Sequence, residues 1–122
     1  MHEMSVVANI LEIVMEEAKK RHAKQVKKVT LHVGKLTFLA HEQLRFAFRL
    51  MSEGTLAHGA ELEIVEIAPM VECECGYAGE MMVYEDEIYH FVAPVLQCPK
   101  CGSRVRITQG RDCFIRDIVM EV

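Results

Sequence analysis

Apolar residues in the first part of the chain recur at helical steps. Val7, Ile10, Leu11, Val14 and Ala18 form one stripe at three- and four-residue spacing, which predicts a helix from about residue 4 to 21. The period then changes to two. Val29, Leu31 and Val33 alternate with Lys28, Thr30 and His32, the pattern of a half-buried strand, and Gly34 ends it. Leu44, Ala47, Phe48 and Met51 restore the helical stripe, with Gly54 placed where a helix C-terminus favours glycine. Glu61 to Ala68 predicts a second strand whose apolar parity switches between Ile64 and Val65, so a bulge or two covered faces is expected there.

Pro69 marks a boundary, and a different kind of segment runs from about Met70 to Gly110. In it, Val83-Tyr84 and Tyr89 to Val92 flank an expected acidic turn, Glu85-Asp86-Glu87, while Arg104 to Ile107 predicts a short alternating strand. The last stretch, Cys113 to Val122, is a strand candidate with Phe114, Ile118, Met120 and Val122 expected on one face. A strand that long has no use in a small ribbon, so it should return to the first sheet. The fold class that follows is α+β: two helices on a three-stranded sheet, residues 1–69 plus 111–122, with an inserted zinc-ribbon domain at 70–110. A core as small as the ribbon's would be marginal without a metal staple.

The net charge of −4 argues against a broad nucleic-acid surface. The basic run from Lys19 to Lys28 follows Glu12, Glu16 and Glu17, an order that suits the dipole of one helix, with Glu16–Lys20 and Glu17–Arg21 as four-residue pairs. That run reads as a solvated helix end. No stretch approaches the ~20 apolar residues of a membrane span and no leader pattern opens the chain, so a cytoplasmic protein is expected.

Five cysteines leave one over from any closed set of disulfides. Four of them form two close pairs, Cys73-Glu-Cys75 and Cys98-Pro-Lys-Cys101, each followed by a glycine. Paired thiolates of this kind suit a tetrahedral structural Zn(II) site, and Gly76 and Gly102 would allow the sharp turns that aim two sulfurs at one ion. The first pair has a one-residue spacer where the second has two. Cys73 therefore has to reach the metal by a tighter bend, or another ligand such as His90 replaces it. Cys113, in an apolar run, reads as a buried small hydrophobe.

His2 carries the other chemistry. The free amine of Met1, the His2 amide and the His2 imidazole can enclose one metal in fused chelate rings, with the next amide or the Glu3 carboxylate as a fourth donor. Nitrogens in a plane suit Ni(II) or Cu(II) better than zinc. His22, His32, His41 and His58 lack a partner at ligand spacing, and Met15, Met51, Met81 and Met82 read as packing residues.

The opening Met1-His2-Glu3-Met4-Ser5, the strand ending in Gly34, the segment Leu44 to Thr55, Cys75-Gly-Tyr77 and Cys98-Pro-Lys-Cys-Gly-Ser103 together resemble the HypA family of hydrogenase nickel-incorporation metallochaperones. The resemblance covers nearly the whole chain. It implies transient Ni(II) bound at His2, with Met1 and Glu3 assisting, and a structural zinc on Cys73, Cys75, Cys98 and Cys101. It implies, as partners, a HypB-type GTPase, the nickel-iron hydrogenase large subunit and, in some members, urease accessory proteins. In some members a ribbon histidine reaches the nickel, and His90 occupies a comparable position.

Two other classes compete with this carrier. A zinc-ribbon adaptor for nucleic acid or a transcription complex meets an acidic ribbon, in which Glu72, Glu74, Glu80, Glu85, Asp86 and Glu87 outnumber Lys100, Arg104 and Arg106. An enzyme is disfavoured because four cysteines close a zinc site and leave no position for water, and no nucleophile–base pattern is present.

Overall fold

The computed structural model describes residues 3–86, 88 and 91–122, with backbone alone at 83, 85, 86 and 91–94. Met1, His2 and His90 lie outside the described residues. Helix α1 spans Glu3–Lys20 and helix α2 spans His41–Met51. Strands β1 (Gln25–Gly34), β2 (Glu61–Ile67) and β8 (Cys113–Glu121) make one sheet in the order β2-β1-β8. β2 runs parallel to β1, and β8 runs antiparallel to it on the other side. The C-terminal strand thus returns to the first sheet.

One face of that sheet carries both helices. Val7, Val14, Leu44 and Phe48 from the helices meet Val29, Leu31 and Val33 from β1, all essentially without solvent contact. Burying a side chain such as Leu31 contributes about 2 kcal/mol, which is why the helical stripes and the central strand fix this layer. Cys113 packs at the rim of the same core, and burial raises its thiol pKa. Among the described residues no helix is long and apolar enough to cross a membrane.

Of the two expectations for β2, a bulge or two covered faces, the bulge is not there. Its pairing with β1 runs unbroken from Lys28↔Glu61 to Gly34↔Ile67. The irregularities fall between β1 and β8, at Val26/Lys28 and at Thr30/Leu31. They change which residues face the core: Cys113 and Ile115 on one side of the break, and Ile118 and Met120 on the other, all pack against it. Phe114 does not share the face of Ile118 and Met120 as expected. It is 51% exposed on the open face, with its ring 5.1 Å from that of His32 across the strand pair.

Strands β3 (Met70–Glu72), β4 (Ala78–Glu80) and β7 (Arg106–Gln109) form a second sheet, ordered β4-β3-β7, and β5 (Met82–Asp86) pairs with β6 (Phe91–Val95) as a hairpin. Glu85 and Asp86 belong to β5 rather than to a turn, because pairing with Val92 and Phe91 extends the strand through them. The strand expected at Arg104–Ile107 starts later: Arg104 makes only an isolated bridge to Gln97, and Arg106 begins the ladder with β3. At the end of α1, Lys20 approaches Glu17 (3.7 Å) instead of Glu16, and Arg21 also reaches Glu17 (3.5 Å).

The two parts join through main chain. The Leu36 N–H donates to the Gly110 carbonyl (2.9 Å) and the Met81 N–H to the Pro69 carbonyl (2.9 Å). The Leu36 side chain packs against the small ribbon core of Val71, Met81, Cys98 and Val105.

Candidate metal centre

Two tight turns present the four cysteines. In the first, the Gly76 N–H donates to the Cys73 carbonyl (3.0 Å) and the Cys73 N–H to the Tyr77 carbonyl (2.9 Å), closing a loop with only Glu74 between the thiols. Gly76 stands at φ 98°, a conformation that a side chain would strain. In the second, the Gly102 N–H donates to the Cys98 carbonyl (2.9 Å), the Cys98 N–H to the Ser103 carbonyl (2.7 Å), and Gly102 has φ 76°. The Lys100 N–H points at Cys98 Sγ (3.4 Å), the kind of backbone donor that steadies a thiolate.

The one-residue spacer does not keep Cys73 away. Cys73 Sγ lies 3.5 Å from Cys101 Sγ and Cys75 Sγ lies 3.6 Å from Cys98 Sγ, so each contact crosses between the two turns. All four ligand atoms lie within 4.8 Å of one another. Sulfurs on a tetrahedral zinc, at Zn–S of about 2.3 Å, stand about 3.8 Å apart. A disulfide would need about 2.05 Å. The set therefore fits one four-coordinate zinc and no disulfide, with Cys98 buried and Cys75 and Cys101 at the surface.

Without metal, crowding sorts the protons among the thiols. The Cys75 backbone favours the Cys73 thiolate, but burial and the Cys101, Cys75 and Cys98 side chains outweigh it and push Cys73 up to about 12. Hydrogen bonds from the backbone and side chain of Ser103, then from the Cys73 thiol, bring Cys101 down to about 6. Burial raises the Cys98 thiol, yet the Cys101 and Lys100 backbone groups and the Cys75 side chain together hold it below its ordinary value. A divalent cation relieves this crowding by converting all four to thiolates.

Beside the cysteines lies a trough that also takes in Glu72, Arg104, Arg106 and Arg111. Arg106 Nη2 lies 2.7 Å from Glu72 Oε2. Arg106 meets Glu72 because the two are partners in the β3–β7 pairing, which no local pattern announces.

At the other end of the chain, Glu3 is the first residue of α1. Glu3 Oε2 accepts the backbone N–H of Ala40 (2.8 Å), immediately before α2. Glu3 and Met4 share a recess with Glu42, Gln43 and Phe46 of α2. The only signal for this contact in the sequence is that alanine stands where a helix-capping side chain is usual.

Residues 1–120 match the family model described as hydrogenase/urease nickel incorporation, metallochaperone, hypA. The chain belongs to the HypA family. It is 40% identical over 122 residues to the hydrogenase maturation factor HypA of Methanothermobacter thermautotrophicus, covering 99% of this chain and 98% of that one. Its identity to the HypA of Methanosarcina barkeri is 39% over 129 residues, covering 99% and 96%. The solution structure of the nickel metallochaperone HypA from Helicobacter pylori aligns with a TM-score of 0.67 at 27% identity, covering 99% of this chain and 98% of the other. A second solution structure of a HypA protein aligns at 0.70 and 28% identity, covering 98% and 96%. The chain is thus a nickel metallochaperone of hydrogenase maturation, a family that binds nickel and zinc, with a four-cysteine cluster fit for structural zinc. The nucleic-acid adaptor alternative draws no support from these relatives.

Proposed function

We propose that this HypA-family chain carries Ni(II) on the Met1 amine and His2, with Glu3 assisting, and releases it during maturation of a nickel-iron hydrogenase. The cysteine cluster is the observation that carries this reading. Four thiols that converge within 4.8 Å fill every position of a zinc ion, so a cargo that must exchange needs other donors. The Met1-His2-Glu3 terminus supplies them, and accessible ligands at a chain end favour exchange. Cys73, Cys75, Cys98 and Cys101 hold the zinc that fixes residues 70–110 as a ribbon, and residues 1–69 with 111–122 form the nickel-binding domain. His90 acts as a further nickel donor from the ribbon. The protein works in the cytoplasm as a carrier rather than an enzyme, and its partners are a HypB-type GTPase and the hydrogenase large subunit, with urease accessory proteins where that pathway exists.

The test is nickel titration and metal analysis on untagged protein. His2→Ala is expected to abolish stoichiometric nickel binding while zinc content and far-UV circular dichroism stay unchanged. Stoichiometric nickel in that variant would overturn the assignment. His90→Ala is expected to weaken nickel binding with zinc retained.

A further inference from the structure

We propose that the Glu3 carboxylate is an anchor that ties the start of α1, the residue next to the nickel-binding Met1 and His2, to the start of α2, a positioning residue rather than a metal ligand. This rests on the nickel-carrier reading above. Ala40 is the N-cap of α2, and it offers no side chain to cap the exposed amides of the first turn. A capping box would have the residue three positions on reach back to the N-cap amide. That residue here is Gln43, which has the right chemistry, yet the Ala40 N–H is taken by Glu3, 37 residues away in sequence. A carboxylate from α1 therefore does what a local side chain ordinarily does. Its negative charge also lies at the positive end of the α2 dipole, which strengthens the bond.

The consequence falls on the two residues that precede Glu3. Because Glu3 begins α1 and is tied to α2, the point from which the Met1 and His2 donors must reach a metal is fixed by a tertiary hydrogen bond. A fixed attachment point lowers the entropy lost when the donors close on a metal. The carboxylate acts on nickel affinity through this tether.

Untagged wild type, Glu3→Gln, Glu3→Ala and the double variant Glu3→Ala/Ala40→Ser separate this role from both alternatives. A glutamine oxygen can still accept the Ala40 N–H, so Glu3→Gln should bind nickel within about threefold of wild type, whereas Glu3→Ala should lose about tenfold, the scale of one charge-assisted hydrogen bond. The serine gives α2 a cap of its own, so the double variant should recover the melting temperature, about 4 °C, that Glu3→Ala loses. Its nickel affinity should stay low. Equal losses in the Gln and Ala variants would make Glu3 a ligand and overturn the proposal. Recovery of nickel affinity in the double variant would reduce Glu3 to a structural cap and overturn it equally, as would wild-type affinity in Glu3→Ala. Hydrogen exchange at the Ala40 amide reads the anchor directly: protection in wild type and Glu3→Gln, and loss in Glu3→Ala. An unprotected wild-type Ala40 amide sinks the anchor. Wild-type protein that takes up no nickel sinks the carrier reading instead.

Discussion

A Cβ built on Gly34 would run into the Gly110 carbonyl and come within 2.9 Å of the Asp112 carbonyl oxygen, both main-chain atoms with no side chain to swing aside. Gly34→Ala should cost about 3 kcal/mol, more than a strand glycine's conformational freedom accounts for, because the backbone at the joint between sheet and ribbon has to part. Urea unfolding of the variant against wild type checks this, and a cost under about 1 kcal/mol would show that the joint yields. The sequence marks Gly34 only as the end of a strand. Its real constraint is a neighbour 76 positions later, visible only once β8 pairs with β1. Cys73 is the opposite case. Its residue type was readable as a ligand, and the doubt over its one-residue spacer disappears because Gly76 supplies the φ of 98° that closes the turn.

The ribbon strands have little to hold them besides the cysteine cluster. β3 and β4 are three residues each, and their core is Val71, Met81, Cys98 and Val105, one of which is itself a candidate ligand. Removing zinc with a chelator should therefore expose the amides of β3, β4 and β7 to exchange while β1, β2 and β8 stay protected. Exchange rates that change equally in both sheets would show a single cooperative unit. Zinc uptake should also be proton-linked. Cys73 keeps its proton up to about 12, so binding near neutral pH expels it, and affinity rises with pH across that range. Below about 6, Cys101 is protonated as well, so the slope steepens by about one further proton. Proton release on adding zinc in weakly buffered solution measures both; a pH-independent affinity would contradict the crowded-thiol picture. At this scale periodicity located every long element, yet of its two expectations for β2, a bulge or two covered faces, the bulge fell elsewhere. A parity change within β2 looked like an irregular strand, whereas the irregularity lay in the β1–β8 register, because parity reports faces and says nothing of which neighbour slips.

Across the whole molecule the two cores are unequal. The larger packs α1 and α2 on three strands, and the smaller is joined to it by main-chain bonds at Leu36 and Met81 and by the Leu36 side chain. Phe48, 2% exposed, belongs wholly to the larger core. Phe48→Ala should cost about 3–4 kcal/mol of stability there. The folded variant should still hold its zinc, since no cysteine of the cluster touches that core; metal analysis after denaturant titration checks both, and zinc loss in the folded variant would show that the ribbon depends on the larger core. The sequence by itself determined what depends on local periodicity and residue chemistry: the helical stripes, the alternating strand, the return of the last strand, and the thiol pairs as a zinc site. Only the tertiary structure decided which chain segments meet. It crossed Cys73 to Cys101 and Cys75 to Cys98, turned Phe114 outward onto His32, and gave the Glu3 carboxylate to Ala40. The reason is physical: side-chain type and spacing are properties of a short stretch, whereas register and long-range hydrogen bonds are set by how separated stretches share one core.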